Sequence, residues 1–286
     1  MRIFYDTHAH LDYPDFAGDF SDVMQRAQAA GITKILSIGT QLESSQRAIQ
    51  LAEKLPNVFA VVGWHPSYVM DAPDDLRPAL REMAKHPKVV ALGEAGLDYH
   101  RLPSKVAAKN AAKKDAPPSP VPSAAALADE DSQYKQKQAE LFRQHLEVAA
   151  ELGLNCVIHQ REAQEDTLTQ LEPFSKQVRG VFHCFGEELS ILRRVLALGS
   201  LVSFTGILTF KNGQNIRDAL SATPMDSFML ETDCPYLAPT PYRGKRCEPA
   251  YVKEISEVAA QVKNCSLEEL STATCATAEK FFRNLS

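Results

Sequence analysis

Ile3-Phe4-Tyr5-Asp6-Thr7-His8-Ala9-His10 opens the chain with a short apolar run that hands over to two histidines. The run reads as a strand, and two histidines two residues apart on a strand project from the same face, about 7 Å apart along the chain. One cation is then within reach of both. The same pattern recurs downstream: Val89–Leu92 precedes Glu94, Cys156–Ile158 precedes His159, Val181–Phe182 precedes His183, and Phe228–Leu230 precedes Asp233. Polar groups gathered from the ends of several strands are what a parallel barrel presents at its C-terminal face. Each histidine or carboxylate taken alone has a bland reading as a hydrogen-bonded core or loop residue. The set of His8, His10, Glu94, His159, His183 and Asp233, spread over five strand ends, points instead to a metal-dependent hydrolase.

Eight apolar, β-branched-rich runs read as strands: Ile3–Tyr5, Lys34–Ile38, Val58–Val62, Val89–Leu92, Cys156–Ile158, Val181–Phe182, Leu201–Phe204 and Phe228–Leu230. Amphipathic stretches separate them, at Phe20–Ala30, Ser44–Leu55, Leu76–Ala84, Lys137–Leu152, Leu189–Leu198 and Ile216–Leu220. Two more, Pro249–Val262 and Leu267–Phe282, close the chain. Alternating strands and helices with near-continuous apolar strands predict an α/β protein, a distorted (β/α)8 TIM-type barrel forming a single domain over residues 1–286. An open doubly wound sheet is the competing architecture. Polar side chains recurring at strand ends from first to last disfavour it.

Residues 104–133 break the rhythm after the fourth strand, with nine alanines and four prolines around Pro-Pro-Ser-Pro-Val-Pro. Such composition buries little, and predicts an extended or disordered loop on the active-site face, with room for a short helix in its alanine-rich part. It reads either as a lid or partner-docking loop or as a tolerated surface insertion, since long loops cost stability slowly with length. Net charge is −5, so no global basic field attracts nucleic acid. The six cysteines form no C-x-x-C pair, and the N-terminus runs directly into a strand; free thiols in a reducing cytoplasm are expected. No apolar run is long enough to cross a membrane.

Five segments carry a resemblance to a known family: Thr7-His8-Ala9-His10-Leu11-Asp12, Gly93-Glu94-Ala95-Gly96-Leu97-Asp98, Ile158-His159-Gln160-Arg161-Glu162-Ala163, His183-Cys184-Phe185-Gly186 and Glu231-Thr232-Asp233-Cys234-Pro235-Tyr236-Leu237-Ala238-Pro239. In this order they resemble the TatD-type metal-dependent deoxyribonucleases, which belong to the amidohydrolase-like metal hydrolases. The resemblance implies a distorted (β/α)8 barrel, a two-metal site and hydrolysis of DNA from the 3′ end. It implies that His8, His10 and Asp233 hold one divalent ion, that His159 and His183 hold the other, and that Glu94 bridges them. Departures at Ser67, Cys247 and Thr277 fall outside that ligand set.

Neutral imidazoles and carboxylates suit borderline and hard divalent ions such as Mg²⁺, Mn²⁺ or Zn²⁺. Asp233 is the expected proton acceptor from an attacking water, with Glu94 as the other catalytic carboxylate. Arg161 and Arg243 are candidate phosphate contacts, the latter within the basic run Arg243, Lys245 and Arg246; salt bridges and a solvated turn are the bland readings. His65 is a candidate phosphate donor or ligand-orienting residue, or a packed histidine. The expected partner is single-stranded or 3′-terminal DNA, acted on by a monomer without a membrane. An amidohydrolase or ester hydrolase, such as an aminoacyl-RNA deacylase, uses the same metal site; a metal-holding binding protein without turnover is disfavoured by the intact ligand set.

Overall fold

The computed structural model describes residues 2–112 and 123–285. Eight parallel strands lie in sequence order in one sheet: β1 (Phe4–Ala9), β2 (Ile32–Ile38), β3 (Val58–Val62), β4 (Val89–Asp98), β5 (Cys156–Arg161), β6 (Gly180–Phe182), β7 (Leu201–Phe204) and β8 (Phe228–Leu230). Among the described residues ten α-helices accompany them: α1 (Phe20–Ala29), α2 (Leu42–Lys54), α3 (Arg77–Met83), α4 (Pro103–Ala111), α5 (Ala124–Leu152), α6 (Gln164–Leu171), α7 (Leu189–Ala197), α8 (Gln214–Ala222), α9 (Val252–Lys263) and α10 (Leu267–Phe281). The ring closes just beyond β8. Asp233 N–H donates to His8 O at 2.9 Å, and His10 N–H donates to Cys234 O at 2.9 Å. Closure and the H-x-H step therefore share the same few residues. The doubly wound alternative is excluded, and the barrel expectation holds.

Strand periodicity explains the two apolar layers. Tyr5, Leu36, Ile38, Val61, Val90, Val157, Val181, Leu201 and Met229 cluster inside the barrel, while their neighbours Phe4, Ile35, Val62, Val89, Ile158, Phe182, Val202 and Leu230 pack outward against the helices. The inner cluster also contains Ala278, Phe281 and Phe282 from and just beyond α10. This helix covers the N-terminal mouth of the barrel, where Arg283 N–H donates to Val90 O at 3.0 Å and Asn155 Nδ2 to Phe281 O at 2.6 Å. Apolar burial thus closes one end and leaves the other for chemistry.

Several boundaries differ from the sequence reading. β1 and β4 run to Ala9 and Asp98, so His8 and Glu94 lie within strands rather than after them. Arg161 ends β5. The glycines flanking Glu94 admit neighbouring strands. A Cβ on Gly93 (φ +129°) would sit 2.5 Å from Val157 O, and one on Gly96 (φ +146°) 2.0 Å from His159 O. The segment at 104–133, expected to be an extended or disordered loop with room for a short helix, is helical in its described arms. Its described arms belong to α4 and the start of α5, joined by Ser104 N–H and Oγ–H donating to the Asp131 carboxylate at 2.9 and 2.5 Å. Alanine and lysine favour helix, and Ser123 Oγ caps α5 by accepting from Ala126 N. Residues 113–122, which hold the proline-rich centre, lie outside the described part. All six cysteines are free. Among the described residues no helix is long and apolar enough to cross a membrane.

Candidate metal centre

The centre is built around Glu94, which is buried on β4. Its Oε1 lies 2.8 Å from His159 Nδ1, 2.8 Å from His183 Nε2 and 3.4 Å from His65 Nε2. Its Oε2 lies 3.4 Å from His8 Nε2 and 3.9 Å from His10 Nε2. Asp233 approaches from β8, with Oδ1 3.6 Å from His8 Nε2 and 3.5 Å from His10 Nε2. All six residues singled out for metal binding thus converge, and His65 joins them. Ligand-capable atoms fall into three overlapping triads, His8/His10/Asp233, His8/Glu94/His183 and His65/Glu94/His159, each within 4.8 Å. Asp233 holds its place with a left-handed backbone (φ +59°), an uncommon conformation that its bonds to the His8 and Tyr236 backbones stabilise.

The tautomers decide which imidazoles offer lone pairs. His10 Nδ1 faces the Ile38 carbonyl at 3.2 Å, His159 Nε2 faces Asp98 Oδ2 at 3.4 Å, and His183 Nδ1 faces Glu231 Oε1 at 3.7 Å. An outer acceptor favours a proton on the outer nitrogen and turns the inner lone pair toward the centre. The inner nitrogens then meet one another and a carboxylate: His159 Nδ1 is 3.2 Å from His183 Nε2 and 2.8 Å from Glu94 Oε1. Converging lone pairs at these distances require positive charge between them. Both ring nitrogens of buried His8 also lack a hydrogen-bond partner. The residues therefore fit divalent cations held by nitrogen and carboxylate oxygen.

His65 differs. Its Nδ1 accepts from the Ser67 amide at 3.0 Å, so the neutral ring carries its proton on Nε2 and presents a donor to the centre. Burial lowers its pKa to about 4, with His159 and His183 adding to the effect, and keeps the ring neutral. Burial would raise the Glu94 carboxyl, yet His183, His65 and His8 hold it well below the usual range. Burial likewise opposes ionisation of Asp233, and the His10 hydrogen bond with His8 and His183 reverses it. Buried carboxylates that stay ionised among imidazoles make an electrostatic cage for cations.

Three acids escaped the sequence reading. Asp98, last residue of the quoted Gly93–Asp98 segment, is buried beneath His159. Glu231, two residues before Asp233, accepts from Cys184 N–H at 2.7 Å and faces His183. Buried Asp6 accepts from Thr232 N–H at 2.9 Å and Thr232 Oγ–H at 2.6 Å, tying the approach to Asp233 onto β1. Burial pushes its pKa up to about 7 despite these bonds. Their only sequence signal was an acidic residue beside each ligand motif.

The basic candidates scatter. Arg161 is exposed at the end of β5, two residues beyond His159 and without an ion pair among the described residues. The Arg243 guanidinium lies 3.7 Å over the Phe210 ring and donates to Ala238 O. Lys245 is exposed. Arg246, the third cation of the basic run, is engaged within the fold. It pairs with Asp19 at 2.7 Å and packs over Phe16, which makes it a structural tie.

The model of the TatD-related DNase family matches residues 5–283. YabD of Bacillus subtilis, described as an uncharacterized metal-dependent hydrolase, is 34% identical over 98% of both chains. A protein of Pantoea vagans named as a 3′-5′ ssDNA/RNA exonuclease TatD is 32% identical, covering 98% of this chain and 99% of its own. The crystal structure of the TatD homologue YjjV from Escherichia coli superposes with a TM-score of 0.82 at 26% identity, over 98% of this chain and 97% of that one. With the barrel and the histidine–carboxylate cage, these matches place the protein: the chain belongs to the TatD-related DNase family of metal-dependent hydrolases.

Proposed function

We propose that the protein is a phosphodiesterase that removes nucleotides from the 3′ end of single-stranded DNA, using two divalent cations held by His8, His10, Glu94, His159, His183 and Asp233. The observation that carries this reading is the division of Glu94: one carboxylate oxygen faces His159 and His183, the other faces His8 and His10. Bound divalent cations would polarise a phosphoryl oxygen and lower the pKa of an attacking water. Glu94 would hold both positions by its two oxygens. Asp233 takes the proton of the water, because its side chain is 14% exposed where Glu94 is 2%. His65 directs its Nε2–H toward Glu94 Oε1 and the substrate position beside it. Arg161 and Arg243 receive the outer phosphates, Arg161 with the freer guanidinium. The name of the Pantoea relative supports the direction of attack and the single-stranded substrate.

The test is turnover of purified protein with Mg²⁺, Mn²⁺ or Zn²⁺ on 5′-labelled and 3′-labelled single strands, RNA and a panel of esters and amides. Stepwise shortening of the 5′-labelled strand supports the assignment. Robust ester turnover, with no nucleic acid degraded under any metal, would replace it by the deacylase reading on the same centre.

A further inference from the structure

Among the described residues, few large apolar side chains are exposed, and two of them are tyrosines at the metal centre: Tyr68 at 38% and Tyr236 at 53%. The Tyr68 ring sits 6.0 Å from the His65 ring, and the Tyr236 ring 6.5 Å from the His10 ring. Half-buried Tyr13 lies between these positions in barrel order, stacked on His10 at 4.8 Å and edge-on to Tyr236 at 6.3 Å. The three rings come from segments following β3, β8 and β1, and line the mouth beside His10 and His65.

Their backbones are anchored. Trp64 Nε1–H donates to Tyr68 O at 2.9 Å, and Gln138 Nε2–H holds the neighbouring Pro66 O at 3.1 Å. Tyr236 N–H donates to Asp233 O at 3.0 Å, and Cys247 N–H holds Pro235 O at 3.0 Å. Rigid, exposed rings of this kind lose little entropy on stacking. The tyrosines also sense one another. Burial first, and the Tyr68 hydroxyl next, push the Tyr13 and Tyr236 phenols up.

Charge gives the rings a reason. Around the strand ends, Arg47 pairs with Asp12, Lys105 pairs with Glu162, and Arg246 pairs with Asp19. A net charge of −5 with these cations engaged leaves only a few, Arg161 and Arg243 among them, to meet a phosphate backbone. Retention of a strand then gains from a second source, and stacking of bases on aromatic rings is sequence-tolerant.

We propose that Tyr68 and Tyr236, with Tyr13 between them, form a stacking subsite for unpaired bases at the end of a single-stranded nucleic acid. The proposal rests on the phosphodiesterase reading of the same centre. A paired base has its faces covered by neighbours, so the subsite discriminates against duplex ends.

The experiment measures Kd for a labelled single strand blocked against cleavage by phosphorothioate linkages, and for the same strand with its terminal nucleotides abasic. DNA and RNA versions of the strand and a blunt duplex complete the set. Tyr68→Ala and Tyr236→Ala are each expected to weaken the base-bearing DNA and RNA strands about tenfold, with Tyr236→Phe recovering the affinity. The abasic strand should bind wild type as weakly as it binds the variants, and metal content per chain should be unchanged in all of them. Equal losses on abasic and base-bearing strands, a loss on the duplex, or no loss at all would overturn the subsite. Failure of the underlying reading is distinct, because wild type would then degrade neither DNA nor RNA.

Discussion

The amide of Ser67 donates to Nδ1 of His65 at 3.0 Å, and this one bond separates His65 from the other histidines of the centre. Those rings turn a lone pair inward, whereas His65 turns an N–H. His65→Ala should therefore lower turnover roughly 10- to 100-fold, the usual cost of losing a group that acts on a ligand rather than as one. Metal content by mass spectrometry should stay at the wild-type value. Loss of one equivalent of metal would instead make His65 a ligand.

Glu94→Gln tests the division of the carboxylate. The amide keeps the size but removes the charge that the surrounding histidines stabilise. Turnover should fall by at least about a hundredfold, beyond the cost of losing an outer partner alone. Bound metal should drop while near-ultraviolet circular dichroism stays native. Two metals per chain with wild-type rates in this variant would sink the bridging role.

Arg161 and Arg246 should separate cleanly. Neutralising Arg161, exposed and unpaired among the described residues, is expected to raise KM for a single strand roughly tenfold without changing metal content. Arg246→Ala should leave KM unchanged and lower the melting temperature slightly, because its partners are Asp19 and the Phe16 ring. Reversed effects would restore Arg246 to the substrate path.

Gln138 ties the long helix α5 to the centre. Its buried amide accepts from Asp98 N–H at 3.0 Å and donates to Pro66 O at 3.1 Å and Asp98 O at 3.2 Å. Gln138→Leu removes the amide partner of Asp98 N–H and Asp98 O and leaves Pro66 O only the longer bond from Tyr134 Oη–H at 3.4 Å, at a cost of about 3 kcal/mol. Urea unfolding at neutral pH measures it, and a loss below about 1 kcal/mol would mean that water replaces the amide.

His145 provides an acid-sensitive element away from the metal-facing histidines. Its Nδ1–H donates to Leu141 O at 2.7 Å and its Nε2 accepts from Trp64 N–H at 3.0 Å, so the folded ring is neutral. Burial lowers its pKa from 6.5 to about 4. Below pH 6.5 the unfolded chain binds the proton first. The contribution is complete above pH 6.5 and is lost as pH falls toward 4. Between pH 7 and pH 5 this amounts to about 2 kcal/mol. His145→Gln should flatten the pH dependence of unfolding free energy by that amount relative to wild type. Parallel pH profiles for the two proteins would show that the ring already carries a proton in the fold.

The alternation of strands and helices, the barrel class and the five residues that gather with Glu94 were all legible in the chain. Strand runs announce themselves by local apolar content, and a histidine or carboxylate at a run's end inherits its position from that strand. The helical arms within 104–111 and 124–133 were read as loop, with room only for a short helix in the alanine-rich part, whereas Lys137–Leu152 of α5 was read as helical. Alanine and proline counts described their surroundings but not the cap at Ser123 or the bond from Ser104 to Asp131. Partnerships between residues far apart in sequence were beyond reach. Asp98 under His159, Glu231 beside His183, His145 beneath Trp64, and α10 across the mouth depend on strand register and ring closure, which no local pattern encodes. The tautomer of His65 and the exposure of Tyr68 and Tyr236 belong to the same class. Sequence determined which groups could do chemistry at one end of a barrel. Tertiary packing decided which of them face inward with a lone pair, which with a proton, and which rings stand open to solvent, because those outcomes depend on what lies opposite each side chain across the closed sheet.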